Sequence, residues 1–113
     1  MIAGLGSLGV HSMLITERGC AGRLSTLVLD AEVPATAGRG DARLEVEHCA
    51  HLRHGSCREC VDLCPVGAVR VDGTLAKHRC WERCRAVAER FRDVGTAEVC
   101  GKCAVGRCAL GSG

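Results

Sequence analysis

Aromatic rings are nearly absent from this chain. Trp81 and Phe91 are the only two, and there is no tyrosine. The apolar content is carried by Ala, Val, Leu and Cys, which bury little area per side chain. A domain of this length with so thin a core needs an internal staple, either metal or disulfide. Long apolar runs are also missing. No stretch approaches the roughly 20 residues of a membrane span, which argues against a membrane-spanning role. Charge of one sign is missing too. The 15 basic and 13 acidic residues are interspersed, so no nucleic-acid-binding face is expected. The N-terminus has no basic region and no small-residue cleavage site, and reads as lacking a secretory peptide. No Ser/His/Asp, Cys/His or paired-carboxylate arrangement marks a catalytic site.

What the chain has is cysteine, ten in 113 residues. Such density often marks a secreted disulfide scaffold. Here the cysteines are concentrated between 49 and 108, several form CxxC pairs, and no export signal accompanies them. A metal or cluster therefore fits better than a disulfide framework, and a cytoplasmic location is expected.

The most informative run is Cys57-Arg-Glu-Cys60-Val-Asp-Leu-Cys64-Pro65. It matches the last three cysteines of the bacterial C-x2-C-x2-C-x3-C-P pattern, whose fourth Cys ligates the other cluster of a pair. The pattern's first position falls on His54. Either His54 replaces a thiolate or Cys49 reaches in across a longer loop, and thiolate is the better iron ligand. Crossing the ligands gives two sets of four: Cys49, Cys57, Cys60 and Cys108 for one cluster, and Cys64, Cys80, Cys100 and Cys103 for the other. Cys84 lies one helical turn from Cys80 and is the alternative to it. Cys20 stands alone in sequence and is expected to be unligated. His11, His48, His51 and His78 read as loop or surface residues. Zinc is the chemical rival, since CxxC pairs also build four-cysteine zinc sites.

The rest of the chain gives coarse expectations. Leu24 to Val33 (LSTLVLDAEV) predicts a strand stopped by Pro34. Residues 35–43 predict a loop, followed by Leu44 to Glu47. Gly67 to Val71, with Asp72-Gly73, predicts a short strand ending in a turn. Residues 80–92 predict a helix ended by Gly95, with Trp81, Cys84, Val87, Ala88 and Phe91 facing the cluster region. Gly4-Leu5-Gly6-Ser7-Leu8-Gly9 matches the dinucleotide fingerprint as a string, but only Met1 to Ala3 precede it where a strand is required. A glycine turn that lets backbone pass close to a neighbour is the expected reading.

In order along the chain, Ala3-Gly4-Leu5-Gly6 with Gly9 and Leu14-Ile15-Thr16, Gly19-Cys20-Ala21-Gly22-Arg23, Cys57 to Gly67, Lys77-His78-Arg79-Cys80 and Cys100 to Gly106 resemble the C-terminal part of the epoxyqueuosine reductase family, relatives of the reductive dehalogenases. The cluster region resembles the twin [4Fe–4S] ferredoxin-type domain. The resemblance implies an α+β, ferredoxin-like dicluster fold, with short strands and helices wrapped around two [4Fe–4S] clusters and a partial α/β segment before it. It implies two domains: 1–47, a glycine-rich part of a larger corrinoid-reductase-like domain, and 48–110, the twin-cluster domain. It also implies electron transfer to a redox partner protein, a corrinoid-binding subunit in that family. This chain has no counterpart of the family's upstream corrinoid domain or of its catalytic acid, and reads as a truncated product or a separate subunit. It departs from the family at Gly106-Arg107-Cys108, where relatives have Pro before the Cys.

Overall fold

The computed structural model describes residues 5–34, 48–97 and 99–111. Ser7–Leu8 (β1) and Leu14–Ile15 (β2) form an antiparallel hairpin, with Ser7 opposite Ile15 and Leu8 opposite Leu14. Gly9 and Met13 continue the register: the Gly9 N–H donates to the Met13 carbonyl at 3.0 Å. The three-residue tip is closed by the Ser12 N–H on the Gly9 carbonyl, with Ser12 at φ 61°. This is a tight turn followed by a left-handed residue, one of the standard three-residue hairpin loops. Gly6 and Gly9 serve close packing. A Cβ on Gly6 would strike the Ile15 carbonyl, and one on Gly9 would lie 2.8 Å from both the His11 ring and the Ile15 side chain. Gly4 lies outside the described residues.

A second turn, Thr16 to Gly19, leads the chain onto the C-terminal loop. The Cys20 N–H donates to the Cys108 carbonyl at 2.9 Å and the Ala21 N–H to the Ala109 carbonyl at 3.0 Å. Residues 5–21 therefore share a core with the cysteine-rich region.

The expected strand at 24–33 does not form. Residues 21–34 carry no regular structure and are exposed, Val28 to 90% and Leu27 to 78%. The residue types favour a strand, but a strand needs a neighbour to bond, and no described residue pairs with residues 24–33. The expected loop at 35–43 and the run 44–47 lie outside the described residues.

The cysteine-rich region is built from short helices. Ala50–His54 (α1) starts after Cys49 and ends at Gly55, whose φ of 65° lets its N–H turn back to the His51 carbonyl. Glu59–Asp62 (α2) carries Cys60 and packs against the 3₁₀ turn Lys102–Ala104. After Pro65 the chain passes through Gly67 to buried Ala68 and Val69. Where a strand is expected, a single bridge joins Val69 to Leu75, and the Asp72 carboxylate accepts the Thr74 N–H and hydroxyl within the turn between them.

Lys77–Arg90 (α3) is the one long helix among the described residues, and it begins a turn earlier than expected. Ala76 to Arg79 contains no residue unsuited to a helix, so nothing delays its start until Cys80. Its half-buried stripe is Cys80, Arg83, Cys84, Val87 and Ala88. Trp81 and Phe91 do not join it; they are 55% and 43% exposed. One residue is about 100° of helix rotation, which carries Trp81 off the Cys80–Cys84 face. There it stacks with His78 and lies under the Arg85 guanidinium at 4.9 Å. No helix among the described residues is long and apolar enough to cross a membrane.

The buried centre is Val10, Ile15, Cys20, Cys49, Val69 and Ala104. Packed on it are Cys60, Val61, Cys64, Leu75, Cys103 and Cys108. Half of these residues are cysteines, so the space that large apolar side chains would fill in an ordinary core is held by sulfur.

Candidate metal centre

Four of the eight expected ligands meet around one cavity, and two of the other four, Cys64 and Cys103, pack on the same buried centre as Cys60 and Cys108. Cys49, Cys57, Cys60 and Cys108 all line one cavity of about 180 Å³. Cys49 enters from the start of α1, Cys57 and Cys60 from the loop and first turn of α2, and Cys108 from the C-terminal loop. Burial pushes the Cys60 thiol up to about 11, helped by Cys108, Cys49, Cys57 and Cys103 around it. Thiols this crowded resist ionising one by one, and a cation among them relieves that penalty. His54, the alternative to Cys49, is exposed at the end of α1, whereas Cys49 is buried in the cavity wall.

Cys64, Cys80, Cys100 and Cys103 are linked through the electrostatic effects that they exert on Cys80 and Cys103. The Cys103 thiol is raised first by burial and then by Cys64, Cys100 and Cys108. Cys80 is raised by burial, by Cys84 beside it on α3, and by Cys103 and Cys64. Cys60 and Cys108 of the first group and Cys64 and Cys103 of the second pack on the same buried centre, so the two groups are neighbours. Cys84 contacts Cys80 and shares its face of α3.

Cys64 differs from the rest. Burial pushes its thiol up, but the amides of Val69, Val66, Ala68 and Gly67 outweigh this and hold it below the ordinary cysteine value. The Ala68 N–H donates to Sγ at 3.2 Å. In the turn after Pro65, with Gly67 at φ 57°, the Gly67 N–H donates to the Cys64 carbonyl at 3.1 Å and the next amide, that of Ala68, reaches the sulfur.

Two side chains lock the loops that carry the first group. Glu59 accepts from the Arg107 backbone N–H at 2.6 Å and from its Nε at 2.7 Å. His51 faces two carbonyls, Cys57 O at 2.7 Å from Nδ1 and Val71 O at 3.0 Å from Nε2. A carbonyl only accepts, so the ring donates wherever it carries hydrogen and ties the Cys57 loop to α1.

The donor sets suit a metal held by sulfur. Each is all cysteine, which once deprotonated is the donor set of a [4Fe–4S] cluster or of a four-cysteine zinc site. Two observations favour the more anionic occupant. The Ala68 N–H donates to the Cys64 sulfur, and the Nε of Arg83, one turn after Cys80, is buried without a partner.

Besides His51, two residues join the site that sequence reasoning set aside. His11 is not a surface histidine; it is 4% exposed. Cys20 is not isolated; its Sγ lies 3.7 Å from that of Cys108, and burial, then Cys108, push its thiol up to about 12. The ligand atoms of His11, Cys20 and Cys108 all lie within 4.8 Å of one another. His11 is 97 residues from Cys108, and no local spacing signals that pairing.

No family model, curated protein or solved structure matches this chain.

Proposed function

We propose that this chain is an electron-transfer protein carrying two [4Fe–4S] clusters in a reducing, cytoplasmic compartment. Cys49, Cys57, Cys60 and Cys108 hold the first, and Cys64, Cys80, Cys100 and Cys103 the second. The observation that supports this most directly is the convergence of Cys49, Cys57, Cys60 and Cys108 on one cavity, from segments nearly 60 residues apart. Clusters held in this way exchange single electrons, and the protein sets their potential through burial and hydrogen bonds to sulfur. The partner is a redox protein. The clusters would be neighbours, because Cys60 and Cys108 of one set and Cys64 and Cys103 of the other pack on the same buried centre.

Metal and sulfide analysis of the anaerobically reconstituted chain tests this reading. It expects about eight irons and about eight acid-labile sulfides per chain. Two tightly held zinc ions without sulfide would replace it with a zinc-stabilised interaction module.

A second reading places the same clusters in a subunit or fragment of a corrinoid-dependent reductase of the epoxyqueuosine reductase type. The exposed apolar segment around Leu27 and Val28 favours it, as a surface suited to a larger assembly. The chain alone should then show no turnover of epoxyqueuosine-containing RNA with cobalamin and reductant. Turnover after addition of a corrinoid-binding protein would support this reading. Turnover by the chain alone would contradict it.

A further inference from the structure

We infer that His11 is a hydrogen-bond donor to the Cys108 sulfur, and that it raises the reduction potential of the cluster that Cys108 ligates. This rests on the assignment of Cys108 as a cluster ligand.

The hairpin fixes both the position and the tautomer of the ring. His11 sits in the three-residue tip between β1 and β2, and its Nδ1 accepts the Met13 backbone N–H at 3.0 Å. A nitrogen that accepts cannot carry the ring hydrogen, so in the neutral ring that hydrogen is on Nε2. Nε2 lies 3.6 Å from Cys108 Sγ, within reach of an N–H···S bond. Gly9 makes room for the ring: a Cβ there would sit 2.8 Å from Cε1 and 3.2 Å from Nδ1. The third glycine of the apparent dinucleotide fingerprint thus has a place in the site.

The same tautomer argues against the other use of this cluster of side chains, a separate ion held by His11, Cys20 and Cys108. Ligation through Nε2 needs a lone pair there, which moves the hydrogen to Nδ1. That hydrogen would face the Met13 N–H, donor against donor, inside the buried tip. As a donor, His11 satisfies both of its nitrogens.

The effect on the cluster follows from charge. Reduction adds one electron to the cluster, and no bond in the protein forms or breaks. The added negative charge spreads onto the ligand sulfurs, where an N–H dipole stabilises it. The buried setting strengthens that interaction.

The test is a redox titration of the reconstituted full chain with dithionite as reductant, followed by electron paramagnetic resonance. His11→Leu should make one cluster about tenfold harder to reduce, about 59 mV for one electron, and leave the other unchanged. Iron and sulfide should stay at the unsubstituted level, and His11→Gln, whose amide can donate, should recover part of the shift. An unchanged potential in a fully loaded His11→Leu protein overturns the inference. If His11→Leu does not assemble, the unsubstituted protein labelled with ¹⁵N-histidine decides. A weak nitrogen coupling to one reduced cluster, with an exchangeable proton, supports the donor. A strong coupling from direct iron ligation, or none, overturns it. Failure of the unsubstituted chain to bind iron and sulfide is a different result and defeats the cluster assignment itself.

Discussion

Glu59 grips the backbone and the side chain of one residue, Arg107. One carboxylate oxygen takes its N–H at 2.6 Å and the other its Nε at 2.7 Å. The hydrogen bond from the Arg107 side chain, and then that from its backbone, holds the Glu59 carboxyl below its usual range. The contact joins α2, which carries Cys60, to the loop that carries Cys108, and so closes one side of the first cysteine group.

Glu59→Ala should therefore loosen Cys108 without removing a ligand. The expected outcome is a cluster that assembles but loses iron to a chelator several-fold faster than the unsubstituted protein. Gly106→Ala should do the same, because its Cβ would lie 2.6 Å from a Glu59 carboxylate oxygen. The rate of visible bleaching under chelator is the measurement.

Cys49→Ser should cost one cluster, and His54→Ala should cost none. Cys49 lies buried in the cavity wall, while His54 is exposed at the end of α1. Iron counts on the two purified variants decide between the ligands. Iron lost from His54→Ala and kept in Cys49→Ser would reverse the assignment.

Cys80→Ala should lose the second cluster, and Cys84→Ala should keep it. Cys80 has Cys103 and Cys64 as neighbours as well as Cys84. Equal iron retention in both variants would show that either thiol can serve from this face of α3.

The metal-free chain should lack a sharp cooperative thermal transition. Its core is small side chains and cysteines, and no side chain larger than Ile or Leu belongs to it. Bound metal would add further links between ligand segments far apart in sequence, so binding and folding would be coupled. Calorimetry of the apo and reconstituted forms compares the two directly, and a cooperative apo transition would show that the apolar core suffices.

Legibility in the sequence followed the range of the signal. The cysteine spacings are local and regular, and four of the eight expected residues, Cys49, Cys57, Cys60 and Cys108, line one cavity. The helix at 80–92 was legible because Cys84, Val87 and Ala88 recur at helical spacing. Its exact face was not, because Trp81 and Phe91 match almost the same period one residue out of phase, and only packing separates the two stripes. The strand expected at Leu24 to Val33 came from residue preference alone, which cannot supply the neighbour a strand needs. His11 and Cys20 were illegible for a different reason. Their role depends on a hairpin tip and a C-terminal loop meeting across 97 and 88 residues, and nothing near either residue in sequence announces that contact.

The measurement that bears most directly on the central claim is electron paramagnetic resonance of the anaerobically reconstituted, dithionite-reduced chain. Two neighbouring [4Fe–4S] clusters predict a spectrum broadened by interaction between two reduced centres, with the oxidised sample silent. A reduced sample that stays silent, in a protein whose cysteines hold zinc, would contradict the account.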